Sequence, residues 1–405
     1  MNLTKKEKSM LDGEQGEGIQ KAMEILVALG EIYGAERMIE IKSAQISGVS
    51  YKNLGDAGLE FLKEWTEKGA MVRVPTTLNP AGMDLREWKR LGIPDGFAEK
   101  QLMVVKAYEK MGIKPTCTCT PYLVGNLPVF GDHIAWSESS AVSYANSVIG
   151  ARTNRESGIS ALASAITGRT PLYGYHLEEN RKAGLIVDIE CNVEGISDFG
   201  ALGYMIGKKI GNSIPYLYFK NKKNKNISQD QLKTLGASMA ASGAIALYHV
   251  HEVTPEAKKG NINIIIDDAE RIIIEDLSEG YSALNSDVTE IDFVAIGCPH
   301  ASLNELKKIS NLLKNKKVKA ELWITTARKT KEMAGGLVKE IEKSGAHIVS
   351  DTCMIVAPIE KLGFRNMATN AGKAAFYAPS HCGLNVRFGS LEKCIEAAVT
   401  ERWEW

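Results

Sequence analysis

Asp292-Phe293-Val294-Ala295-Ile296-Gly297-Cys298-Pro299-His300 is the stretch whose reading decides the fold. Its apolar run is unbroken rather than alternating, the signature of a strand buried on both faces. Helical spacing follows over 303–314, then a strand pattern over 318–325, a helical pattern over 331–344, and a third strand at His347-Ile348-Val349. Strand, helix, strand, helix, strand predicts a parallel sheet with right-handed crossovers. Towards the N-terminus, Ile19, Met23, Leu26 and Val27 set a helix over 19–33. A strand over 37–46 runs into Ser47-Gly48-Val49-Ser50. After a helix over 59–68, a strand over 71–74 runs into a turn ending Asn79-Pro80, which makes a second βαβ unit. A loop and helix occupy 94–111. Between the two units, 117–174 is rich in Gly, Ser, Thr and Asn and lacks a period, as functional loops often do. Helix-like and strand-like runs resume over 185–218, and the small residues of 236–246 predict close packing. The β-branched runs 262–266 and 271–274 flank Asp267-Asp268 and read as a hairpin. The fold class is α/β, with domains expected over 1–115, 116–285 and 286–405.

Lys plus Arg and Asp plus Glu both number 49, so the chain is formally neutral. No basic stripe stands out, which argues against nucleic acid as a partner; the run 220–225 reads as a solvated loop. The polar start, 1–12, is no signal peptide, and no apolar run reaches the ~18 residues of a membrane span. A cytoplasmic location is expected. Seven cysteines in a reducing compartment are not a disulfide framework, which leaves buried thiols and metal ligands.

Ligands of open α/β sheets gather at the carboxyl ends of strands. Cys298 directly follows one predicted strand, and Cys353 follows another after Ser350-Asp351-Thr352. These two could face one crevice, although free cysteine is commonly just a small buried hydrophobe. Cys394 and Cys191 read as core, and Cys382 lacks strand-end placement. A third thiol could come from Cys117-Thr118-Cys119-Thr120-Pro121-Tyr122, and the spacing does not choose between Cys117 and Cys119. Three thiolates on a four-iron cluster leave one iron open as a Lewis acid, suited to dehydrating a β-hydroxy acid. An anionic substrate could be held by backbone N–H groups of Ser47-Gly48-Val49-Ser50, by Asn79-Pro80, by Trp136-Ser137-Glu138-Ser139-Ser140, by the arginines of 146–155, or by Lys373 in a loop, Asn370-Ala371-Gly372-Lys373. Each motif alone is more often structural than functional. His249 and His251 carry no metalloprotease-type pattern and read as core or substrate-proximal.

Taken together, these strings resemble the large subunit of the aconitase X family. They are Ala44 to Ser50, Thr77-Leu78-Asn79-Pro80, Cys117 to Tyr122, Trp136 to Ala141, 146–155, Gly297-Cys298-Pro299-His300-Ala301-Ser302 and Asp351-Thr352-Cys353-Met354. The resemblance implies an aconitase-like fold with several Rossmann-like parallel-sheet domains around a central cleft. It implies an iron–sulfur cluster on Cys119, Cys298 and Cys353, [4Fe-4S] with one open iron or else [2Fe-2S]. It also implies substrate contacts at Gly48, Val49, Ser50, Asn79, Pro80, Glu138, Ser139 and Lys373, with Glu138 as a candidate catalytic group. Ser157 stands where a glycine is expected, a mild departure. The family needs a small swivelling domain that carries a serine base. No segment of the chain is long enough to supply it, so a separate small subunit is expected and a heterodimer is the active form. The implied reaction is dehydration of (R)-5-phosphomevalonate to trans-anhydromevalonate 5-phosphate in an archaeal-type mevalonate pathway. The alternative within the family is dehydration of cis-3-hydroxy-L-proline. Outside it stand an aconitase-like RNA-binding regulator, a structural zinc site on the same thiols, and a cysteine-nucleophile enzyme.

Overall fold

In the computed structural model the described residues are 1–220, 226–258 and 264–404. Most of the basic run 220–225, and the start of the expected hairpin at Ile262, lie outside them. The N-terminal layer contains β1 (Met38–Glu40), β2 (Ala44–Ile46), β3 (Thr76–Leu78), β4 (Ala135–Trp136) and β5 (Arg169–Pro171). The parallel order is β3-β2-β4, while β5 pairs antiparallel with β1. Two expectations are corrected here. The strand expected over 37–46 is two short strands in different sheets, because Ile41 bonds Gly168 and Lys42 bonds His133 instead of continuing one ladder. The strand expected at 71–74 lies five residues later in sequence, at Thr76–Leu78; Val72 and Arg73 bond Met111 and Ala165 instead. Strands on both sides of residues 115 and 116 share one sheet, so the N-terminal unit continues past that expected boundary.

A second sheet contains β6 (Ala183–Ile189), β7 (Pro215–Phe219), β8 (His249–Val250) and β9 (Ile265–Ile274) in the parallel order β8-β7-β6-β9. The expected hairpin is one strand: β9 continues past Asp267-Asp268, which fall in a bulge, because the residues on both sides pair with β6, across a register shift between Ala183 and Leu185. The small residues do pack closely. Gly203 and Gly207 of the helix Ile196–Ile210 lie against the backbone of the helix Gln229–Gly243.

The third sheet is the βαβαβ unit extended by two strands. It contains β10 (Phe293–Ile296), β11 (Glu321–Thr326), β12 (His347–Ser350), β13 (Asn366–Thr369) and β14 (Asn385–Phe388), all parallel in the order β12-β11-β10-β13-β14. Its strand interiors are buried, as the unbroken apolar runs require. The helix expected over 331–344 is two, Arg328–Ala334 and Gly336–Lys343, broken at Gly335 with φ of 49°. The first and third layers are joined at their loops. Ala81 N–H donates to Asp351 O at 2.7 Å, and Cys353 N–H to Ala81 O at 3.1 Å. Below this bridge Arg328 is held between the buried carboxylates of Asp84 and Asp351.

Candidate active site

The carboxyl ends of β2, β3 and β4 meet those of β10, β12 and β13 around one cavity of about 260 Å³. Its wall contains Gly48, Val49 and Ser50 after β2, Asn79 and Pro80 after β3, Glu138 and Ser139 after β4, Cys298 after β10, Cys353 after β12 and Lys373 after β13. Cys119 completes the wall from the segment beside β3. Strand ends gather these residues because each loop there leaves the sheet and exposes side chains and amides to one crevice.

The two thiols of the Cys117-Thr118-Cys119 segment have different fates. Cys117 takes a left-handed backbone, φ of 41°, and is fully buried in the core beneath β2 and β3. Thr118 is pinned by its N–H to Leu78 O at 3.0 Å and by Gln45 Nε2 donating to its carbonyl at 2.9 Å. The chain therefore turns and presents Cys119 to the cavity beside Cys298 and Cys353. Burial pushes all three cavity thiols up, Cys298 to about 12, with the neighbouring Cys353 adding to its shift. N–H groups oppose this at two sulfurs: His300 N–H donates to Cys119 Sγ at 3.2 Å, and the amides of Ile355 and Val356 favour the Cys353 thiolate. Among the described residues no three His, Cys, Asp or Glu side chains meet at the spacing of a single metal ion.

Beside the thiols sits a buried ion pair. Lys373 Nζ contacts Glu138 Oε1 at 2.6 Å and Ser139 Oγ at 3.1 Å. Glu138 also caps the helix Ser139–Tyr144, accepting from Ala141 N–H and Ser140 Oγ, each at 2.6 Å. Burial alone would raise the Glu138 carboxyl; Lys373 and these donors hold it below the ordinary carboxylate range. Burial likewise opposes the charge on Lys373, and Glu138 more than restores it. Both groups are therefore charged. Lys373 is not in a loop as expected but in the first turn of the helix Gly372–Cys382.

Opposite, Ser50 caps the helix Tyr51–Glu67, and its Oγ donates to Val356 O at 2.7 Å. The first helical amides are taken, Tyr51 N–H by Gln101 Oε1 and Lys52 N–H by Ser50 Oγ, so what this turn offers an anion is the backbone of Gly48-Val49-Ser50 at the positive end of the helix. Gly158 lies so close under the turn that a Cβ there would sit 2.5 Å from Ser47 O. The stretch 146–155 is not at the cavity. Asn146 ties Thr153, Ala246 and Arg181 together, Arg152 bonds His176 O, and Arg155 bonds Ala244 O. These arginines are spent on loop carbonyls, Arg152 on that of buried His176 and Arg155 on that of half-buried Ala244 at the surface. His249 is buried against Arg181 O, away from the cavity. Cys382 and Cys394 are core, and Cys191 packs partly buried against the middle sheet.

Sequence reasoning passed over Asn53 and Tyr377 and left His381 out of the substrate site; all three line the cavity. Tyr377 and His381 stand four and eight residues beyond Lys373 on one helix face, so the i, i+4 spacing was a usable signal.

A multi-sheet α/β protein whose strand ends converge on three thiols and a buried Lys–Glu pair has the architecture of an aconitase-type protein, and the comparisons specify the family. The models of the aconitase X first, second and third domains match residues 1–179, 183–280 and 291–400. This chain belongs to the aconitase X family. It is 52% identical over 405 residues to the phosphomevalonate dehydratase large subunit of Methanocaldococcus jannaschii, covering 98% of this chain and 100% of that protein. The cis-3-hydroxy-L-proline dehydratase of Pseudomonas aeruginosa is 36% identical, and 70% of its length is covered. The crystal structure of Thermococcus kodakaraensis aconitase X in its holo-form superposes with a TM-score of 0.89 at 50% identity, covering 98% of this chain and 100% of that one. No helix among the described residues is long and apolar enough to cross a membrane.

Proposed function

We propose that this chain is the cluster-bearing large subunit of a hydro-lyase that dehydrates (R)-5-phosphomevalonate to trans-anhydromevalonate 5-phosphate. The observation that carries the reading is the meeting of three thiols, a charged Lys–Glu pair and a helix-start turn in one cavity, in a chain more similar to archaeal phosphomevalonate dehydratase large subunits than to hydroxyproline dehydratases. The donor set fits an iron–sulfur cluster. Cys119, Cys298 and Cys353 would hold it, and N–H groups already point at two of the sulfurs.

When bound, a cluster with one open iron supplies a Lewis acid for the departing hydroxyl. The chain's own residues do the rest. The turn Gly48-Val49-Ser50 and Asn79 take an anionic end of the substrate. Lys373 keeps Glu138 ionised and turned towards Ser139, so this pair orients the substrate rather than accepting a proton. The proton acceptor is then a serine of a small partner subunit, consistent with relatives named large subunits. The complex is expected in the cytoplasm.

The test is anaerobic co-purification with a candidate small subunit, followed by assay of both substrates. Turnover of phosphomevalonate with iron on the large chain is expected. Turnover of cis-3-hydroxyproline alone would reassign the substrate, and full activity without iron would end the cluster reading. Cys298→Ser should abolish iron retention, read by metal analysis; unchanged iron would remove Cys298 from the ligand set.

A further inference from the structure

The three cysteines come from three separate loops, and one residue outside the cavity belongs to one of these loops and bonds the other two. His300 is buried behind the thiols, 2% exposed. Its Nδ1 meets Thr118 Oγ1 at 2.9 Å, beside Cys119. Its Nε2 meets Thr352 O at 2.8 Å, beside Cys353. Its own backbone lies two residues beyond Cys298, and its N–H donates to Cys119 Sγ at 3.2 Å. The carbonyl of Thr352 can only accept, so Nε2 carries the proton and Nδ1 accepts from the Thr118 hydroxyl. That assignment satisfies both ring nitrogens and leaves the imidazole neutral. The hub is braced from behind, since buried Lys233 donates to His300 O at 3.2 Å and pairs with Glu305.

We propose that His300 is the positioning residue of the thiol trio: its ring fixes the Cys119 and Cys353 loops to the Cys298 loop, and its amide tunes the Cys119 sulfur. The proposal rests on the reading of the three thiols as cluster ligands. Among the described residues, no other polar side chain along this wall bonds beside two of the cysteines while its own amide donates to one of their sulfurs. An apolar residue of similar size would fill the space but leave Thr352 O without its ring partner and the Thr118 hydroxyl bonded only within its own loop, to Thr120, so nothing polar would tie the loops together. Outer-shell partners of metal ligands typically matter by about 10- to 100-fold in metal retention.

The experiment compares the parent with His300→Phe, His300→Gln and Thr118→Val in the full chain. Three readouts are taken: iron per chain, the visible and electron paramagnetic resonance spectra of the cluster, and the rate of thiol labelling at Cys119, Cys298 and Cys353 in metal-free protein by mass spectrometry. His300→Phe should lose iron to a chelator about 10- to 100-fold faster and label faster at all three thiols. His300→Gln, which can still donate to Thr352 O, should be intermediate with altered spectra. Thr118→Val, nearly isosteric, covers the case in which His300→Phe does not fold, and should speed labelling at Cys119 above the other two. Unchanged iron loss, spectra and labelling in the folded variants would overturn the proposal. If the parent binds no iron, faster labelling still supports the hub while the cluster reading falls.

Discussion

Lys373 and Glu138 are each placed where neither could stay charged alone, at 13% and 6% side-chain exposure. Removing one partner leaves a buried uncompensated charge. Lys373→Met is therefore expected to lose about 3–5 kcal/mol of folding stability, measured by denaturant unfolding. Adding Glu138→Gln should recover a large part of that loss, because the remaining amide no longer needs a cation. If the double variant is no more stable than Lys373→Met, the pair is not coupled as its geometry indicates. Gly297 is the other residue on which the site leans. It has φ of 98°, and a Cβ there would lie 2.2 Å from Thr325 O. Gly297→Ala must move the segment that presents Cys298, and lowered iron content in a protein that still folds would register that shift.

Among the contacts that join elements at the site are the Ala81 backbone bridge and a partly buried cation. Arg328 at the start of the helix Arg328–Ala334 reaches Asp84 Oδ1 at 2.8 Å and pairs with Asp351, joining the loop after β3 to the loop after β12. Burial and the shared cation work in opposite directions on both carboxylates. Asp84 ends low because backbone N–H groups of Arg86, Glu87 and Ser350 add to Arg328. Arg328→Met strands two buried carboxylates, and a loss of about 3–5 kcal/mol is expected. Because Asp351 stands two residues before Cys353, iron retention should fall in the same variant. A variant with reduced stability but normal iron would separate the strut from the site.

At the scale of the whole molecule, the thiols belong to loops of both the first and third layers, so a group bound to all three clamps those layers. Removing iron by chelation should lower Tm by several degrees, since a ligand that binds only the folded form stabilises it; equal Tm values with and without iron would contradict a shared ligand set. Acid should unfold the molecule for a further reason. Burial, with His133 and nearby arginines, pushes His176 down to about 3 from an ordinary 6.5. Between those values the unfolded chain binds a proton that the folded one does not. Stability from His176 is thus fully present above the ordinary value and declines as pH falls through the window, by at most about 1.4 kcal/mol per pH unit. His176→Leu should flatten that part of the stability profile in denaturant titrations at stepped pH.

What the sequence by itself determined was local in kind. Unbroken apolar runs such as Phe293-Val294-Ala295-Ile296 dictate buried parallel strands, and strand-end placement singled out Cys298 and Cys353. The family strings supplied the rest of the residue set now found around one cavity. Other outcomes depended on partners distant in the chain. β9 became one strand because β6 lies alongside both of its halves, which the turn-like Asp267-Asp268 could not reveal. Periodicity could not separate Cys117 from Cys119; the separation comes from Thr118, pinned by Leu78 and Gln45, which turns one thiol into the core and the other into the cavity. The hub at His300 was equally hidden, since its two ring partners lie 182 and 52 residues away in sequence. Burial patterns are written along the chain, but a hydrogen bond between loops is set only when the layers that carry them have packed.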